Sequence, residues 1–181
     1  QKKFLVSQST KLISDDLPDG RIMTELNGFV GSSVLEDRKG RPFIIRGKTD
    51  VVIEFATQPK KYGIIDLKTT NINPSKVENY KMQLESYATI FENPNPKTPN
   101  FLQVDELGLY LFEPKEIEKI SDGFCNMSFQ TLYLKGKRCH DDLIGRITDI
   151  IDIYIMKEPP SYNPVCSSCK FIMALKNEKY I

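Results

Sequence analysis

Between Arg21 and Phe55 hydrophobic and polar positions alternate as they do in strands. Phe43, Ile45, Thr49, Val51, Ile53 and Phe55 form one row, with Gly47 in the remaining slot, while Ile44, Arg46, Lys48, Asp50, Val52 and Glu54 form a mostly polar second row. A loop from Thr57 to Lys61, containing Pro59, leads to a second strand at Tyr62 to Thr69, so the two segments read as a hairpin with a short connection. By the period of two, Ile64, Asp66 and Lys68 share one face. Asn73 to Lys76 then has the character of a helix start, with Asn or Ser as cap and Pro74 in the first turn. Val77, Leu84, Ala88 and Phe91 follow at spacings of 7, 4 and 3, which predicts a helix over about 75–92. The stretch from Asn93 to Asn100 reads as a loop, Glu106 to Phe112 and Met127 to Leu134 as strands, and Asp141 to Met156 as an amphipathic helix. Its apolar stripe is Leu143, Ile147, Ile150, Ile151, Tyr154 and Ile155, and Pro159 and Pro160 end it. Strands interleaved with helices in this order predict an α/β sheet with helices packed on its faces.

Length and composition narrow the picture further. The chain has 181 residues, 40% hydrophobic and 27% charged, which suits one domain over 1–181 with a packed core and a C-terminal tail at about 159–181. Lys and Arg total 25 against 24 Asp and Glu, a net charge of +1, so binding of a polyanion must come from a local patch. The densest basic stretch is Arg38, Lys39, Arg41, Arg46 and Lys48, to be weighed against a solvated turn at Arg38 to Arg41. No run is apolar enough to span a membrane and no signal peptide is visible, so a cytoplasmic protein is expected. Because the first residue is Gln1, an upstream segment is expected too. The cysteines, Cys125, Cys139, Cys166 and Cys169, are too few and too unevenly spaced for a disulfide framework. Cys166-x-x-Cys169 could be half of a zinc or iron–sulfur site, a redox pair, or two ordinary small residues in a turn. His140, the single histidine, precedes Asp141 and Asp142 at a helix start and reads as a solvated or capping-turn residue.

Three signals carry chemistry: Gly47-x-x-Asp50 on one strand, Asp66-x-Lys68 on the next, and Gln83-x-x-x-Tyr87 on the following helix. Each alone has an ordinary reading, as a turn, a solvated ion-pair ladder, or a surface edge beside a core aromatic. In this order on a hairpin followed by a helix, they bring two carboxylates beside an ammonium if the register sets Asp50 alongside Asp66. Gln83 and Tyr87 lie on one helix face, with Gln83 at the border of the apolar stripe. Paired carboxylates suit Mg²⁺ or Mn²⁺, hard cations that take oxygen ligands, polarise a phosphate and lower the pKa of a bound water. Lys68 would orient that water and stabilise charge on the phosphorane.

On IIRGKTDVVIEF, YGIIDLKTT and YKMQLESYATIF, spanning Ile44 to Phe91, the sequence resembles the PD-(D/E)xK nuclease superfamily and its RecB-like branch of DNA exonucleases, with a looser likeness in NPVCSSCKF. The resemblance implies a restriction-endonuclease-like core, a central mixed β-sheet flanked by helices. It makes Asp50 the metal-binding Asp, Asp66 the second acidic ligand with the Leu67 carbonyl beside it, and Lys68 the catalytic lysine. Gln83 and Tyr87 then support the site and the DNA strand. Relatives carry an upstream helix that completes the metal site with an acidic residue or histidine; nothing before Arg21 supplies an obvious one, and Glu25 and Glu36 are the possible substitutes. Some relatives hold an iron–sulfur cluster whose last cysteine falls where this chain has Leu175, so no such cluster is expected.

These readings imply an Mg²⁺- or Mn²⁺-dependent deoxyribonuclease acting on DNA ends or single strands in repair, recombination or phage replication, with Arg46, Lys48, Gln83 and Tyr87 contacting DNA. The alternatives are a catalytically inactive nuclease-fold module that binds nucleic acid or a partner protein, and a metal-free structural domain in which these residues form a surface network.

Overall fold

Alternation in the first third of the chain resolves into short strands. β1 (Gly20–Ile22), β2 (Val30–Gly31), β3 (Leu35–Glu36), β4 (Pro42–Phe43) and β5 (Arg46–Gly47) precede β6 (Val51–Phe55) and β7 (Tyr62–Thr69). The single row expected from Phe43 to Phe55 is divided among three sheets, because β4 pairs with β3, β5 with β2, and only β6 enters the main sheet. Side-chain alternation continues through a change of partner, so the pattern does not record it. The computed structural model describes residues 5–23, 28–158 and 160–177, in two compact units, 1–145 and 146–181.

Residues 1–145 contain a five-stranded mixed sheet in the order β1-β6-β7-β8-β9, an α/β arrangement. All pairings are antiparallel except β7 with β8, which are parallel and joined through helix α1 (Lys76–Glu92). A parallel neighbour requires a crossover, and α1 supplies it. The helix starts one residue inside the expected range. Asn73, two residues before the cap position at Ser75, accepts the Ser75 N–H on its side-chain oxygen at 2.9 Å, and Ser75 makes no side-chain cap bond of its own.

Both faces of the sheet are covered. On one face Val52 and Ile64 pack against Leu84, Ala88, Ile90 and Phe91 of α1. On the other, Val51, Ile53 and Ile65 meet Ile13, Leu17 and Ile22 from the N-terminal segment. This double burial explains why Val51, Val52 and Ile53 are all buried, where alternation alone would expose Val52.

β8 (Val104–Ser121) runs well past the expected Glu106 to Phe112, whereas β9 (Phe124–Lys135) contains the expected Met127 to Leu134 with three residues before it and one after. Beyond Phe112 and Thr131 they form a two-stranded ribbon that is mostly exposed, closed by a turn in which Gly123 has φ +85°, a conformation that favours glycine. A strand with solvent on both faces carries no burial period, which is why the outer half of β8 escapes a reading of the sequence.

Helix α2 (His140–Tyr154) starts one residue before the expected Asp141 and ends ahead of the proline pair. Leu143 is buried, whereas Ile150, Tyr154 and Ile155 of the expected apolar stripe are exposed. A further helix, α3 (Ser167–Asn177), occupies the segment read as a tail. Among the described residues no helix is long and apolar enough to cross a membrane.

Candidate functional site

The β6–β7 register pairs Val51 with Ile65 and Val52 with Ile64, so continuing it by one residue sets Asp50 opposite Asp66. The Leu67 amide N–H closes this end of the hairpin by donating to Asp50 Oδ2 at 2.9 Å. Asp66 points to the same face as Ile64, toward α1, and is 2% exposed, so its surroundings decide its chemistry.

Two side chains contact the Asp66 carboxylate. Gln83 Nε2 donates to Oδ1 at 3.2 Å. Lys68 Nζ lies 2.6 Å from Oδ2. That approach is a salt bridge, and apart from it the buried Oδ2 has no hydrogen-bond donor among the described residues. Burial pushes the Asp66 carboxyl above its usual range; Lys68 opposes this and the Asp50 carboxylate adds to it. Burial pulls the Lys68 ammonium down, but Asp66, Tyr80 and Asp50 outweigh it and leave its pKa raised. Lys68 is therefore a cation at neutral pH. Its Nζ sits 4.8 Å from the centre of the Tyr80 ring, within cation–π range.

Tyr87 ties the helix to the strand before the site. Its hydroxyl donates to the Lys48 carbonyl at 3.0 Å and accepts from Gln83 Nε2 at 2.8 Å. The glycine of the G-x-x-D pattern has a physical role here: a Cβ on Gly47 would lie 2.8 Å from Tyr87 Cε1. Gly47→Ala is expected to displace the ring, lower stability by ~1–3 kcal/mol as overpacked sites do, and loosen Gln83 from Asp66. Urea unfolding measures the first effect, and an unchanged midpoint would show that the ring has room to move.

Of the residues expected in the site, Asp50, Leu67, Asp66, Lys68, Gln83 and Tyr87 are joined by these contacts. The side chains of Arg46 and Lys48 stand exposed on the strand segment leading to Asp50, and the Arg46 guanidinium lies 5.9 Å from the Phe29 ring centre. Arg41 is paired with Asp37 at 2.6 Å, and Arg38 Nη2 donates to the Asp141 carbonyl at 2.7 Å, so this part of the basic stretch builds a turn. Glu36 is exposed on β3 and lines a cavity of about 350 Å³ with Arg38, Asn93, His140 and Asp141. Glu25 lies outside the described residues. Tyr80 was missed by the sequence reading; it precedes Gln83 by three and Tyr87 by seven, a helical spacing that places all three on one face.

The opposite face of α1 carries a second polar cluster that the sequence reading did not single out. Glu85, fully buried, accepts from Arg138 Nε at 3.0 Å and from the Cys139 amide at 2.9 Å. Arg138 also reaches Glu92 Oε2 at 2.7 Å and the Val104 carbonyl at 2.9 Å. His140 Nδ1, 3.8 Å from Glu85 Oε1, belongs to this cluster. Glu85 is two residues from Gln83, about 200° around the helix, so the cluster holds α1 from behind while Gln83 faces the sheet.

No protein-family model matches the chain, and no curated protein matches it. A solved structure described as "Crystal structure of SSO0001" is similar at 16% identity with a TM-score of 0.42, covering 84% of this chain. This chain spans 58% of the length of that one.

Proposed function

We propose that Asp50, Asp66 and Lys68 form a metal-dependent phosphodiester-hydrolysing site of the restriction-endonuclease-like type, acting on DNA ends or single strands. The observation that carries the reading is the buried Asp66 carboxylate, 2.6 Å from the Lys68 ammonium, with the Asp50 carboxylate held beside it by the Leu67 amide. Asp66 Oδ2, buried and paired with the Lys68 ammonium, is of the oxygen type that suits a hard divalent cation, and Asp50 would share that cation with it. The Leu67 carbonyl is the third oxygen the reading assigns to it. Mg²⁺ or Mn²⁺ bound there would polarise the scissile phosphate and lower the pKa of a water. Lys68 holds its proton and offers positive charge where the phosphorane becomes anionic. Gln83 and Tyr87 fix the orientation of Asp66, and Arg46 and Lys48 offer cations to flanking phosphates.

One observation favours a second reading. Among the described residues no group of three or more His, Cys, Asp or Glu side chains could hold a metal. On donor count alone, the better supported reading is a nuclease-fold module that has lost hydrolysis and binds nucleic acid or a partner protein. Incubation with single-stranded, double-stranded and end-blocked DNA in Mg²⁺, Mn²⁺ or EDTA separates the two. Cleavage that EDTA abolishes supports the first; binding without cleavage in either metal supports the second.

Further results are expected if the site is hydrolytic. A protonated Asp66 cannot ligate a cation, and its pKa is raised, so at subsaturating Mn²⁺ cleavage rises with pH through that titration and levels off above it. A rate that falls with pH over that range would contradict the assignment. Gln83→Ala weakens turnover less than loss of either carboxylate, because Gln83 orients Asp66 without binding the cation. Tyr87→Ala also destabilises the fold, by the ~3–5 kcal/mol typical of truncating a buried aromatic, and an unchanged melting temperature would count against it.

A further inference from the structure

The two edges of the main sheet are treated differently. At the β1 edge the N-terminal segment covers the strand: Ser7 N–H donates to the Ile22 carbonyl and Ile22 N–H to the Gln8 carbonyl, each at 2.9 Å, and Ser9 bridges to Arg21. At the β9 edge, no backbone hydrogen bond outside the β8–β9 ladder involves residues 124–135 among the described residues. Every second amide and carbonyl of β9 therefore faces outward without a backbone partner.

Exposed edges are normally guarded by charge, proline or bulges. β9 reads FCNMSFQTLYL from Phe124 to Leu134, with neither a charged residue nor a proline. The other strand of the projecting ribbon has those guards: Pro114, Lys115, Glu116, Glu118 and Lys119, with register irregularities at Pro114/Glu116 and Lys119/Ser121. The register also sorts the ribbon into two faces. Glu113, Glu116 and Glu118 pair with Gln130, Ser128 and Asn126 on one face, while Pro114 and Ile117 pair with Phe129 and Met127 on the other. Ile117 is 68% exposed and Met127 42%. A two-stranded ribbon standing in solvent with such a face is marginal by itself and gains most from added strands.

We propose that β9 is an interaction edge whose occupant is a second copy of this chain, paired antiparallel across a twofold axis within residues 124–134. Three features select a second copy over an unrelated peptide. The edge is uncharged, so two copies meet without repulsion. Antiparallel pairing about a twofold uses the same strand on both sides, so each copy satisfies the outward groups of the other. The contact also consumes the open edge, and with the β1 edge covered the assembly closes at two chains. The acidic row lies on β8, one strand back from the contact. This inference does not rest on the proposed hydrolytic site.

The test is sedimentation equilibrium of the full chain over a range of concentrations, with Gln130→Pro and Thr131→Pro in parallel. Successive amides of a strand point to opposite sides, so one proline removes an outward donor and the other breaks the β8 ladder. The wild-type chain is expected to form a dimer. The variant that keeps the wild-type melting profile is expected to lose it, with a dimer dissociation constant raised at least about tenfold, since two symmetry-related hydrogen bonds disappear. Hydrogen exchange of the wild-type chain should show protection within 124–134 that grows with concentration. Should both prolines unfold the ribbon, that exchange pattern decides. A wild-type chain that stays monomeric throughout overturns the proposal, as does a dimer that survives in the folded proline variant or leaves 124–134 unprotected.

Discussion

If the proposed site is hydrolytic, Lys68→Ala is expected to slow metal-dependent cleavage by roughly 10²–10⁴, the scale for removing a positioned electrostatic group, and to leave Mn²⁺ binding intact. The geometry sets this split. Lys68 Nζ and a cation compete for Asp66 Oδ2, 2.6 Å from the ammonium, so deleting the lysine removes a competitor and both carboxylates remain. Asp66→Asn has the opposite signature. It keeps the shape and can still accept from Gln83, yet it loses the charge that attracts a cation, so Mn²⁺ affinity and cleavage fall together. Isothermal titration with Mn²⁺ alongside single-turnover cleavage distinguishes the variants. Loss of metal binding in Lys68→Ala, or retained cleavage in Asp66→Asn, would remove the basis for assigning these roles.

Arg138→Ala destabilises the protein by ~3–5 kcal/mol, as expected when a buried carboxylate loses its partner. For a chain of this length that corresponds to a fall of about 6–20 °C in melting temperature. The effect is asymmetric. Glu85 is fully buried, whereas the Arg138 side chain is 39% exposed, so without the arginine Glu85 is left charged in a dry place, while without Glu85 the arginine can return to water. Glu85→Ala should therefore cost less than Arg138→Ala, and adding Glu85→Gln to Arg138→Ala should recover part of the loss by removing the stranded charge. Thermal and urea unfolding of the three variants measure this. A change below about 1 kcal/mol in Arg138→Ala would mean that α1 is held by its apolar face alone.

The hairpin, the helix and the face shared by Asp66 and Lys68 were determined by the sequence itself. Side-chain period is local: alternation from Tyr62 to Thr69 and helical spacing from Val77 to Phe91 follow from backbone geometry, and they fix which residues lie side by side whatever packs against them. The same logic put Gln83 and Tyr87 on one helix face. Tertiary structure decided what no local period records. It brought the Asp50 carboxylate onto the Leu67 amide next to Asp66, gave Gly47 its meaning by seating the Tyr87 ring on it, and brought Tyr80 over Lys68. It divided the row from Phe43 to Phe55 among three sheets, since a change of strand partner leaves alternation intact. It also set Arg138 on Glu85 across more than fifty residues of chain, a contact whose strength comes from burial, and burial belongs to the assembled fold.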